Sequence, residues 1–443
     1  MSSPLQRAPQ DRHVDPRAGQ VNDLGVAQLD DPAFAQYPFL TERRKNVGAA
    51  LAGSRGKEAV VMSWSVFSSH NEPPPIMRGG WLDALRFIVA ALIILHHFQA
   101  SAPVPLAESV HPVFERGGFL LTNFFLIDSG YVLMRVYAAS VASGRMSKTD
   151  FFLKRSLRVF PAHLIMGGLL VAMVLLGTAI GLPPSHPEWF AWDQLPAQLA
   201  LVQAFGVHGG LGWNAPSWSI SALLGCYLAF PWVLRGLTRV GPWLALGLVV
   251  VGYLAANELC WAILNYPVYQ MPMGFGIWRA LPLFILGMGL AWFAQGVWIE
   301  PRAAGWALLL ATIGLAVAQY FDKNALISLA FISIIILAAG AVPVTKPSKW
   351  VEQAAVVSFS MFISNEVVRI GWFGLAEATA NKLNLGEIWR WGLWVMGVGA
   401  AFVFAFLFHY GVDNPIQKRI RAWLKKRGHA RAEIKEPVVS LEG

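Results

Sequence analysis

The chain has 443 residues, 55% of them hydrophobic and only 14% charged, with a net charge of +9 and a mean hydropathy of +0.48. Soluble globular domains carry about 25% charged residues, so this composition excludes a string of soluble domains and points to an integral membrane protein. The basic excess does not point to nucleic acid either. Much of it sits in one run, Lys418, Arg419, Arg421, Lys425, Lys426, Arg427, Arg431 and Lys435, directly after the last apolar segment. That is the usual cytoplasmic flank of a membrane helix, held by anionic lipid.

In chain order, residues 1–76 are rich in Pro, Gly, Asp, Arg and Gln, with no sustained apolar period, and read as a disordered tail. They lack the apolar core of a secretory signal peptide. Met62 and Met77 lie close to the first span, and translation is expected to begin at one of them. From residue 81 onward, ten apolar segments approach the roughly 20 residues needed to cross about 30 Å of hydrocarbon. They lie near 82–100, 118–138, 159–180, 214–235, 241–264, 279–298, 303–320, 325–343, 351–373 and 389–411. The expected fold is therefore all-α and integral to the membrane, with about ten transmembrane helices over 77–417 and a basic cytoplasmic tail over 418–443.

Basic residues set the expected orientation. One set of loops holds Arg145, Lys148, Lys154, Arg155, Arg158, Arg235, Arg239, Arg302, Lys346 and Lys349. The other set holds Arg116, Arg279, Lys323, Arg369, Lys382 and Arg390, and the stretch 181–213 has no Lys or Arg. The asymmetry places both termini in the cytoplasm.

An ionisable residue inside a span is a functional candidate because its burial is costly. The first span reads WLDALRFIVAALIILHHFQA, with Arg86 and His97 eleven positions apart. At about 100° and 1.5 Å per residue they share a face to within about 20° and lie about 16 Å apart, while His96 falls about 80° off that line. Two parts of one long ligand fit this stripe, an anionic portion at Arg86 and a reacting centre at His97. A snorkelling arginine and a histidine bonded within the bundle fit it too.

His97 is the residue type that takes a proton from a hydroxyl near neutral pH. Such a reaction also needs donors for an oxyanion, and Ser129, Trp218, Ser219, Ser221 and Asn365 are candidates, or else helix-packing residues. Asp128, inside NFFLIDSGYVL, needs a histidine or arginine partner or a water-lined cavity. Lys154, Arg155 and Arg158, in FFLKRSLRVFPAH, suit the phosphates of a cytoplasmic donor or reflect plain positive-inside bias. Cys226 and Cys260 lie in apolar stretches without metal-ligand spacing and read as packing residues. No metal site is expected.

Six segments in order resemble the motifs of the membrane acyltransferase family known as acyltransferase family 3, over about 80–420. LDALRFIVAALIILHH is similar to its first-helix signature, placing Arg86 and His97. FFLIDSGYVL places Ser129 and Gly130, and FFLKRSLRVFPAH places Arg155, Arg158 and Pro161 with Lys154 just before. NAPSWSISALLGCYLAFP places Pro216, Trp218, Ser219, Ser221, Tyr227 and Pro231. SFSMFISNEVV resembles the ninth-helix motif, and YGVDNPIQKRI the closing one, with Asp413 and Pro415.

The resemblance implies a multi-pass protein of the bacterial inner membrane that moves an acyl group, commonly acetyl, from acyl-CoA to a hydroxyl. The acceptor would be a glycan, a glycolipid, or another lipid or small molecule. It implies acyl-CoA as a co-substrate, not a bound cofactor, with Arg86, Arg155 and Arg158 near the CoA and His97 as the catalytic base. Two positions depart from the family: its fourth-helix Glu is Leu223 and its ninth-helix His is Asn365. The departures suggest a kept donor half and an altered acceptor half. A transporter or flippase lined by the same polar residues, and a non-enzymatic relative, are the alternative readings.

Overall fold

The computed structural model describes residues 79–103, 111–184, 186–207, 212–295, 297–321, 325–344 and 346–435. The expected tail over 1–76 and the expected start at Met62 or Met77 lie outside the described residues. Among the described residues all regular structure is helical. The apolar helices are α1 (Trp81–Phe98), α2 (His111–Ala142), α3 (Lys148–Ala179), α4 (Ser217–Leu237), α5 (Pro242–Leu264), α6 (Gly276–Ala294), α7 (Pro301–Tyr320), α8 (Ala325–Gly340), α9 (Lys349–Lys382) and α10 (Glu387–Phe408). A π-helical turn, His409–Asp413, leads into the basic helix α11 (Asn414–Lys435).

Each of the ten expected segments is thus a helix. Nine helices among the described residues are long and apolar enough to cross a membrane. The remaining one, α8, has 16 residues, or about 24 Å at 1.5 Å per residue, short of the roughly 30 Å of hydrocarbon.

Boundaries moved where polar residues begin or end a helix. Helix α3 starts at Lys148 and not near 159, because Ser147 caps it: its hydroxyl accepts the Asp150 N–H at 3.0 Å and donates to the Asp150 carboxylate at 2.6 Å. Lys154, Arg155 and Arg158 therefore stand on the first turns of a helix, not in a loop. Arg279, Arg369 and Arg390, counted above with the loops, also lie within helices α6, α9 and α10.

Helices α2 and α6 cross at the middle of the core through two glycines. A Cβ on Gly130 would run into the Phe284 carbonyl, and one on Gly287 into the Ile127 carbonyl. Small residues let spanning helices approach to backbone contact, so Gly130 serves packing. Two-thirds of the α6 span (67%) is buried, against 17% of α5. On α5, Trp243, Leu244, Val251 and Ile263 are exposed, as expected of a helix facing lipid tails. Helices α9 and α10 form a hairpin, and α9 packs along α1.

Candidate active site

Arg86 and His97 share one stripe of α1 and meet different partners. The Arg86 Nε donates to the Asp128 carboxylate of α2 at 2.7 Å. Its Nη1 reaches Asp83 at 3.4 Å, and the other Asp83 oxygen accepts the Gly79 N–H at 2.7 Å. Asp128 is 2% exposed. Of the partners open to Asp128 from sequence, the arginine is the one it takes. Removing either member of such a pair strands a buried charge, so Arg86–Asp128 fastens α1 to α2.

About 16 Å further along α1, His97 Nδ1 lies 2.9 Å from Asn365 Oδ1 of α9. Asn365 is fully buried, and its Nδ2 donates to the Phe362 carbonyl at 2.7 Å. That bond fixes the amide with its oxygen toward the imidazole. An amide oxygen only accepts, so Nδ1 carries the proton and Nε2 keeps its lone pair. Asn365 thus touches His97 itself. His96 packs beside His97, ring centroids 5.5 Å apart, and against Gly118, where no Cβ would fit.

Near the start of α3, Arg155 donates to the Tyr137 hydroxyl, and the cations of Lys154 and Arg155 lie 5.3 and 4.5 Å from the Tyr137 ring. One turn on, Arg158 Nη1 reaches both Asp413 oxygens at 3.1 and 3.2 Å and its guanidinium lies 4.5 Å from the Phe359 ring. The π turn after α10 delivers Asp413, which His409 also approaches at 3.4 Å. Gln417 of α11 donates to the Leu157 and Arg158 carbonyls, 3.2 Å each. Thus Arg86 and Arg158 are balanced by carboxylates, whereas Arg155 and Lys154 have an aromatic ring and its hydroxyl.

Of the two readings open for the α4 serines, the bonds present are those of helix-bonding residues. Ser219 donates its proton to Pro216 O at 3.1 Å, and Ser221 to Leu201 O at 2.7 Å while accepting the Ala204 N–H. With their protons committed to backbone carbonyls, neither hydroxyl is available as an oxyanion donor. They pin the segment between α3 and α4 into the bundle. The Trp218 ring lies 5.0 Å from the Arg279 guanidinium. Ser129 is half-buried beside Asp128, and Leu223 packs against the main core. Both cysteines are free thiols.

Two clusters escaped the sequence reading. Glu366 and Arg369, one position and one turn beyond Asn365, pair at 2.6 and 3.0 Å, and Arg369 lies 5.4 Å from the Trp189 ring. Arg279, 3% exposed, donates from Nε and Nη2 to Asn123 Oδ1 at 2.9 and 2.8 Å, and from Nη2 to the Phe119 carbonyl at 2.9 Å. The signal was present: each is an ionisable residue in an expected apolar segment, although the two arginines were also counted with the loops. Among the described residues no group of three or more His, Cys, Asp or Glu is arranged to hold a metal. A cavity of about 480 Å³ opens at the start of α1, on the face of Trp81, Ala84 and Leu85, with Lys346 on its rim. Leu85 is about 18 Å along the helix axis from His97, so this cavity is not the histidine's own.

The family model described as an acyltransferase domain matches residues 80–410. Acyltransferase MdmB of Streptomyces mycarofaciens is 30% identical over 263 residues, which cover 54% of this chain and 64% of that relative. The match thus spans less than two thirds of the relative's length. No solved structure matches the chain.

Proposed function

The chain belongs to the acyltransferase family whose model covers residues 80–410, and from that premise we propose that it is a membrane O-acyltransferase with His97 as its base. The observation that carries this reading is the His97–Asn365 bond at 2.9 Å, with the amide turned by the Phe362 carbonyl. It supports an imidazole whose Nε2 accepts a proton. The acceptor hydroxyl gives its proton to Nε2 as its oxygen attacks the acyl-CoA thioester carbonyl. The CoA sulfur leaves and takes the proton back from His97, so the base is regenerated.

The donor binds from the cytoplasm, at the end of the bundle where α1, α3 and α9 begin, and both termini share that side. Its phosphates fall first to Arg155 and Lys154, cations that have no carboxylate partner among the described residues. Arg86 and Arg158 hold the surrounding helices in place and offer the donor the guanidinium edges that their carboxylates leave. The acyl group is acetyl, the acceptor a hydroxyl of a glycan, glycolipid or other lipid or small molecule, and the location the bacterial inner membrane.

The test is transfer of labelled acyl groups from acyl-CoA in membranes carrying the wild-type chain or His97→Ala. Transfer by the wild type and its loss in the variant are expected. Substrate translocation without transfer from any acyl-CoA would replace this reading with the transporter.

A further inference from the structure

The four arginines that structure the polar sites are not partnered alike. Arg86, Arg158 and Arg369 each meet a carboxylate. Arg279 is the most buried of them, and its partners are an amide oxygen, a backbone carbonyl and the rings of Phe119 and Trp218 at 5.1 and 5.0 Å. No carboxylate pairs with it among the described residues. Rings and dipoles offset part of the cost of a buried cation, but leave its charge unbalanced.

A second observation lies on the same bond. Asn123 is fully buried, and its Nδ2 has no hydrogen-bond partner among the described residues. The amide cannot be turned round to cure this, because Oδ1 accepts two guanidinium N–H groups and a flip would set donor against donor. The Tyr253 hydroxyl is likewise buried and unpartnered, within electrostatic reach of Arg279. A cation and two spare donors call for oxygen bearing negative charge, which neither an apolar chain nor a cation supplies.

We infer that Arg279 and Asn123, walled by Trp218 and Phe119, bind a carboxylate or phosphate group carried by the acceptor. The site lies on the third and fourth turns of α2 and the first turn of α6, and Gly118 of α2 carries the His96 ring, so it shares the end of the bundle that holds His97. The word acceptor rests on the acyl-transfer reading; the anion site does not.

The experiment uses the purified full chain in a neutral detergent and follows its thermal unfolding midpoint. Inorganic phosphate and dihexanoyl phosphatidic acid are the probes, against chloride at equal ionic strength and dihexanoyl phosphatidylcholine. A saturable rise of about 2 °C or more with a phosphate-bearing probe is expected. Inorganic phosphate acting alone indicates a soluble carrier of the anion, and phosphatidic acid alone a lipid-borne one.

Arg279→Gln should weaken the apparent affinity by about tenfold or more. Asn123→Asp supplies the missing charge internally and should raise the midpoint itself while abolishing the response. No rise over the controls in the wild type, or a response unchanged in both variants, overturns the site. Absence of acyl transfer from any acyl-CoA in wild-type membranes, with the phosphate response intact, removes the acceptor and keeps the site.

Discussion

Arg86 and Arg158 each meet a buried carboxylate, Asp128 at 2.7 Å and Asp413 at 3.1 Å, whereas His97 and Arg279 each meet an asparagine at 2.9 Å. The first two sit where α1 and α3 begin; His97 lies near the end of α1, and Arg279 at the start of α6 beside Asn123 in the first half of α2. A carboxylate neutralises its cation and holds two segments together. An amide orients its partner without neutralising it, and leaves charge or a lone pair to spend. Glu366–Arg369 is a carboxylate pair near His97, but it closes within one helix and ties nothing across the bundle. On the proposed function, the contrast separates residues that build the bundle from residues that await a substrate.

The sharpest test of that contrast is His97→Ala, expected to lower acyl transfer by about 10²–10⁴ with little change in the unfolding midpoint. Equal losses of activity and stability would erase the distinction. Arg86→Ala should do the opposite, costing about 3–5 kcal/mol because Asp128 is left charged and buried. Adding Asp128→Asn should recover most of the stability, as followed by thermal unfolding. If the double variant is no more stable than the single one, the pair is not the strut described.

Gly130→Ala, at the α2–α6 crossing, is expected to cost about 1–3 kcal/mol by overpacking, again read from unfolding. Asn365→Leu should lower kcat roughly tenfold through a misplaced His97 proton, with KM for acyl-CoA unchanged. A pure KM effect would return Asn365 to substrate binding. Least of all, Ser219→Ala should change kcat by less than about threefold, since its proton goes to Pro216 O; a fall of about 10²–10³ would mark an oxyanion donor after all.

Much of this was readable without coordinates. The ten helices follow from apolar length, because hydrocarbon rewards any segment that buries its own backbone hydrogen bonds. Arg86 and His97 on one stripe follow from helical periodicity. Asp128 was marked as needing a partner, though not which. The orientation count had a larger effect: Arg279 and Arg369 fall inside the expected segments 279–298 and 351–373 but were counted with the loops, so two buried cations were not weighed as residues inside a span. The α4 serines were left open between oxyanion donor and helix-bonding residue for another reason. A hydroxyl in a motif looks the same whether it faces a substrate or a carbonyl such as Leu201 O twenty residues earlier in the chain.

The sequence by itself determined a helical, multi-pass membrane chain with a polar first span and a basic terminal segment, since local composition and period decide those against lipid and water. Only the tertiary structure decided who partners whom. Asn365 lies 268 positions from His97, and Asn123 lies 156 from Arg279. Which buried cation meets a carboxylate and which an amide depends on the packing angle and register of helices far apart in the chain, and no local pattern encodes that.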